Sequence, residues 1–168
     1  KLPKEETKEF LNIMESKQAK KLSELLGYSS DSAGGLMTTE YLVCRKGQTV
    51  AQVIQYIKEK SFKVEPAQYV YIVDEENKLL ASVNFKRLML ADSAELVEKV
   101  VFPKTYFVKL ESSVKEVAYL MEKYKYYAIP VVDGQNVLKG IVTVDDVLSQ
   151  VIAIAWRRLK KINITPKQ

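Results

Sequence analysis

Few side chains in this chain of 168 residues are equipped for chemistry. It has no histidine and a single cysteine, Cys44. That removes a Cys/His zinc site and an intrachain disulfide framework. No Gly-rich phosphate loop or nucleophile elbow is present, so no enzyme is expected. The strongest local candidate is GIVTVDD, Gly140 to Asp146, an apolar run that ends in a hydroxyl and two carboxylates. If Thr143 and Asp146 open a helix, backbone N–H groups and the positive end of the helix face one spot, which suits an anion. Thr143 then offers a hydroxyl donor to a phosphate. Asp146 accepts from the two hydroxyls of a ribose, as the acid of a dinucleotide fold does. Upstream, Ala128, Ile129 and Pro130 offer backbone groups and an apolar wall to a base, and Tyr126 and Tyr127 offer rings to stack on it. The spacing of Thr143 and Asp146 is equally that of a capping box, which needs no ligand. Both readings stand, since a ligand can recruit a cap.

An earlier stretch, ASVNFKR (Ala81 to Arg87), occupies the same place in an internal repeat. YIVDEENKLLASVNFKRL, from Tyr71, aligns without a gap on IPVVDGQNVLKGIVTVDDV at an offset of 59 residues. Further upstream, EYLVCRKGQTVAQVI parallels KTYFVKLESSVKEVA at an offset of 64. In the first copy Asn84 replaces the threonine, Arg87 the aspartate and Ala81 the glycine. Asn84 can still cap a helix, but Arg87 cannot accept from a ribose. At most one ribose-type site per chain is therefore expected, in the second copy.

The elements that must position these corners follow from the pattern. Each copy reads as a short strand (Leu42–Cys44; Phe107–Val108), then a helix opened by a capping box (Thr49 with Gln52; Ser113 with Glu116). Two β-rich strands joined by a tight turn come next (Tyr69–Val73 and Leu79–Val83; Ile129–Val132 and Leu138–Val142), and a second helix closes the unit. Each unit of about sixty residues is marginal alone, so one intimate pair is expected. Ahead of it, Pro3 to Leu26 shows helical apolar spacing. The fold class is α+β or α/β: two β-α-β-β-α repeats packed as a pair, preceded by a short helical segment.

The duplicated unit, with its IPVVD strand, short hairpin and G-h-h-T-x-x-D corner (h, apolar), resembles a tandem CBS-domain pair from Met37 to about Val151. A second resemblance lies in LLGYSSDSAGGLMTTEYLVCRKGQTV, Leu25 to Val50. It is similar to the junction at which MgtE-type magnesium transporters pass from a helical N domain to their CBS pair. The resemblance implies a cytosolic regulatory module that senses an adenine nucleotide (ATP, ADP or AMP), Mg²⁺ or both. It also implies a homodimer and a membrane pore elsewhere in the full-length protein. On this reading residues 1–35 are the end of the N domain and linker, 36–97 the first repeat, 98–156 the second, and 157–168 a basic tail.

Charge and hydropathy fit that picture. After Asp146 there is no acid, and Arg157, Arg158, Lys160, Lys161 and Lys167 supply the whole excess behind the net charge of +5. The body is balanced, so no nucleic-acid surface is expected. No apolar run approaches the roughly 20 residues of a membrane span, and no signal peptide is evident, so the compartment expected is the cytoplasm. The chain lacks an initiator methionine and reads as a piece of a longer protein. Acids available to Mg²⁺ near the second copy are Glu111, Glu116, Glu122, Asp133, Asp145 and Asp146. MgtE-type proteins continue the last helix with an acidic stretch; SQVIAIAWRRLKKINITPKQ has none. The stripe Val147, Leu148, Val151, Ile154, Ala155 and Leu159 falls on one helix face and suits either core packing or self-association, with Trp156 capping the interface. The competing function is a dimerisation scaffold with degenerate ligand sites.

Overall fold

The computed structural model describes residues 27–60 and 68–162, the side chains of 158–162 excepted. The helix read over Pro3 to Leu26 lies outside the described residues. The repeat is present in three dimensions. In the first copy, β1 (Leu42–Arg45), α2 (Val50–Lys60), β2 (Tyr69–Val73), β3 (Leu79–Asn84) and α3 (Phe85–Leu90) follow a short α1 (Ala33–Leu36). In the second copy the order is β4 (Val108–Lys109), α4 (Val114–Tyr124), β5 (Ala128–Val132), β6 (Leu138–Thr143) and α5 (Val144–Ile162).

The two sheets have one topology. β1 runs parallel to β2, which is antiparallel to β3, and β4, β5 and β6 repeat the arrangement. Even the register is shared. Tyr69 faces Asn84 as Ala128 faces Thr143, and each hairpin shifts register at the same place, between Ile72 and Val73 and between Val131 and Val132. β2 and β5 are buried at every position, which is why YVYIV and AIPVV are runs of apolar and aromatic residues rather than alternations.

Local chemistry sets the element ends. Thr49 and Gln52 form the expected box: the Gln52 N–H donates to Thr49 Oγ1, and the Thr49 N–H to Gln52 Oε1. Ser113 accepts the Glu116 N–H, and Asn84 the Arg87 N–H. Asn77 and Asn136, at the tips of the two hairpins, adopt positive φ, which asparagine tolerates better than most residues.

Three apolar clusters follow. One lies within the first copy (Leu42, Val50, Val70, Ile72, Val83, Leu88), one within the second (Val114, Val117, Met121, Ile129, Val142, Val147), and one between the sheets (Tyr69, Tyr71, Val73, Ala128, Leu138, Ile141). The last is the surface each unit would expose alone, so the two form one body. The hairpin tips are zipped across it, Leu79 to Asn136 and Leu138 to Asn77.

The serine- and glycine-rich connection does more than link. Ala33 and Met37 pack into the second copy's core, ahead of the first copy in sequence. The Thr38 N–H donates to the Ile141 carbonyl at 2.8 Å. Gly140 lies directly beneath: a Cβ there would sit 2.7 Å from the Thr38 carbonyl oxygen and 2.8 Å from Met37 Sδ. The glycine of GIVTVDD is thus required by a close crossing, whereas Ala81 in the first copy meets no such demand.

The apolar stripe of α5 is divided. Val147 enters the core, while Leu148, Val151, Ile152 and Trp156 are exposed, Trp156 at 62%. A single face was expected, but the sheet covers only one side of the helix's first turns.

Candidate functional site

The corner at the end of β6 is a closed cap. Asp146 Oδ2 accepts the Thr143 N–H at 3.1 Å and the Thr143 hydroxyl at 2.6 Å. In return the Asp146 N–H donates to Thr143 Oγ1 at 3.2 Å. The Val144 N–H is taken by the Tyr127 carbonyl at 2.9 Å. An α-helix leaves four N–H groups without intrahelical partners at its start. Here those of Thr143, Val144 and Asp146 are satisfied within the protein, and Asp145 supplies the remaining donor.

Two sequence-based expectations change. Thr143 does not offer a free hydroxyl donor to phosphate, because its proton is committed to Asp146. Nor is the helix start an open anion cradle, because three of its four donors are used and two carboxylates sit in its first turn. Phosphate is disfavoured there. The capacity left is that of an acceptor: among the described residues no hydrogen bond engages Asp146 Oδ1. A ribose hydroxyl, a donor, suits that oxygen.

The other candidates separate by strand parity. Ala128 pairs with Thr143, so their side chains share a face, the one turned to the interface between the copies. Ile129 points the other way, into the core of its own repeat. Pro130 is buried two residues along β5, opposite Ile141. Tyr127, 60% exposed, lines a groove of about 310 Å³ between α4 and the start of α5, with Ala118, Met121 and Val147. It belongs to the helix side, away from Ala128. The aromatic that reaches the interface is Tyr126, whose ring lies 5.9 Å from that of Tyr69. Burial raises the hydroxyl pKa of both rings.

Two participants escaped the sequence reading. Thr38 pairs with Ile141 and so shares the Ala128–Thr143 face, though it precedes the corner by more than a hundred residues. Tyr69, from the other copy, brings its ring against Tyr126 at the same interface. The only signal for either was the repeat alignment. Tyr119 and Tyr124 lie outside the core: Tyr119 is exposed, and Tyr124 stacks on Tyr106 at 3.6 Å. Among the described residues, no three Asp, Glu or Cys side chains converge to hold a metal ion. The acids considered for Mg²⁺ therefore do not make a centre within one copy of the chain.

Comparison with known proteins yields one family and several relatives. The CBS domain model matches residues 33–94 and 97–153. The magnesium transporter MgtE of Thermus thermophilus is 35% identical over 151 residues, covering 90% of this chain and 34% of that protein. A solved structure of the soluble part of a magnesium transporter superposes with a TM-score of 0.86 at 31% identity, over 91% of this chain and 60% of that one. Another, of the cytosolic domain of the Mg²⁺ channel MgtE in complex with ATP, has a TM-score of 0.81 at 35% identity, over 84% and 57%. The chain spans about a third of the length of the curated relatives it matches. No helix among the described residues is long and apolar enough to cross a membrane.

Proposed function

The chain belongs to the CBS-domain family, and from that premise we propose that it is a regulatory module that binds an adenine nucleotide at the Asp146 corner. One observation carries the reading: Asp146 keeps an acceptor oxygen beside the Ala128–Thr143 pair, where a ribose can be held. The MgtE relative in complex with ATP supports the ligand class. Thr143 acts by fixing Asp146, the small Ala128 leaves room beside it, and Thr38 completes that face. Ile129 and Pro130 shape the corner through the backbone, and Tyr127 contributes its carbonyl to the helix start. Phosphates point away from the capped helix end, towards solvent.

The output runs through α5. Asp146 sits in the first turn of a helix of 19 residues, roughly 28 Å long at 1.5 Å per residue. A ligand that ties Asp146 to the start of β5 biases the angle of that lever. By its likeness to MgtE, the module is cytosolic, works as a homodimer, responds to Mg²⁺ together with nucleotide, and controls magnesium transport in a longer protein. It is a binding module, not an enzyme. A thermal-shift series with ATP, ADP and AMP, with and without Mg²⁺, tests the reading. A ligand selective for the folded state must raise the Tm. A rise with at least one nucleotide, abolished by Asp146→Ala, is expected; no rise with any of them overturns the proposal.

The exposed residues Leu148, Val151, Ile152 and Trp156 favour a second reading, a dimerisation scaffold. It predicts a concentration-dependent dimer by sedimentation that nucleotides leave unchanged.

A further inference from the structure

We propose that the first repeat holds the same corner as the second, filled by the protein's own side chains, and that Arg87 and Phe102 limit the module to one nucleotide per chain. The inference rests on the reading of the Asp146 corner given above.

The correspondence is geometric. Tyr69 faces Asn84 on β2 and β3 as Ala128 faces Thr143 on β5 and β6. The Phe102 N–H donates to the Ser82 carbonyl at 3.1 Å, as the Thr38 N–H donates to that of Ile141 at 2.8 Å. Ser82 and Ile141 are equivalent, so Phe102 stands where Thr38 stands. Arg87 takes the position of Asp146. The cap itself survives, with Asn84 Oδ1 accepting the Arg87 N–H at 2.9 Å. The three groups that would meet a ligand have all changed. Alanine has become tyrosine, threonine has become phenylalanine, and the carboxylate has become a guanidinium.

Those three occupy the corner together. The Tyr69 and Phe102 rings pack with centroids 6.5 Å apart. The guanidinium carbon of Arg87 lies 5.2 Å above the Phe102 ring, a cation–π distance. Arg87 Nε also donates to the Val100 carbonyl at 2.9 Å. The side chain is tied at two points across the mouth of the corner. A base meets rings already packed against each other, and a ribose meets donors where it needs an acceptor.

Isothermal titration of ATP into the wild type, Asp146→Ala and the double variant Arg87→Asp/Phe102→Thr tests this. The wild type is expected to bind one equivalent and Asp146→Ala none. The double variant should bind one equivalent more than the wild type, and keep that extra equivalent when Asp146→Ala is added. A double variant that is folded by circular dichroism yet binds no more than the wild type overturns the proposal. Where the double variant fails to fold, Arg87→Asp alone is titrated in its place, and a folded variant that gains no binding overturns the proposal; an Asp146→Ala protein that retains an equivalent at unchanged affinity refutes the Asp146 reading. So does a wild type that binds nothing. The gain in the folded double variant, or its absence, still decides the first corner.

Discussion

The Leu79 N–H donates to the Asn136 carbonyl at 2.9 Å, joining the two hairpins through residues 57 positions apart in sequence. Leu138 makes the reciprocal bond to Asn77 at the same distance. Each carbonyl belongs to a residue in the left-handed region, φ 61° at Asn77 and 63° at Asn136. Turn conformation and repeat pairing are thereby coupled.

Asn136→Val should destabilise the protein by about 1–2 kcal/mol, since a β-branched residue strains at positive φ. Asn136→Gly should be tolerated. Urea unfolding of both variants checks this. Because the pairing spans the repeats, tyrosine fluorescence and far-UV circular dichroism should report one coincident transition in each.

Gly140→Ala should cost about 1–3 kcal/mol, because its methyl group would press on the Thr38 carbonyl oxygen rather than on a movable side-chain tip. Ala81→Gly, at the equivalent place, should change stability by less than about 1 kcal/mol. Comparing the two Tm values tests whether the glycine serves the crossing.

Asp146→Ala removes the acceptor of the Thr143 N–H and should cost about 0.5–2 kcal/mol of stability in the absence of ligand. Asp146→Asn should retain much of that cap. A variant pair in which Asn restores stability but not the nucleotide response separates capping from ribose binding.

Burial, reinforced by the nearby charge of Glu98, pushes the Cys44 thiol up to about 12. The folded protein therefore holds this proton where the unfolded chain has lost it. The stabilisation is complete below about pH 9, the ordinary thiol value, and is lost as pH rises from there towards 12. A Cys44→Ser variant should flatten the alkaline decline in stability. Ellman's reagent should react with the native wild-type thiol far more slowly than with the unfolded chain.

Tyr71 is fully buried, and its hydroxyl has no hydrogen-bond partner among the described residues. Tyr71→Phe should therefore be neutral or stabilising, by up to about 1 kcal/mol, in contrast to the usual loss on core substitution. A fall in Tm of several degrees would point to an unseen partner for the hydroxyl.

The sequence by itself determined the duplicated β-α-β-β-α order, the strand pairs and the helix starts. β-rich apolar runs, asparagine turns and hydroxyl caps act within a few residues, so their signals are written locally. It also marked Thr143 and Asp146 as a pair and Arg87 as the odd one. Only the tertiary structure decided what the pair can still do. The Thr143 proton is committed to Asp146, and all but one of the helix-start donors are taken by Tyr127 and the cap itself. Side-chain direction was likewise invisible: one residue of strand parity puts Tyr127 against the helices and Ala128 against the other repeat. Thr38 and Phe102 reach their corners only because each copy's leading segment crosses onto the other copy's sheet. Such exchanges depend on hydrogen bonds and packing between residues far apart in sequence, and no local pattern encodes them.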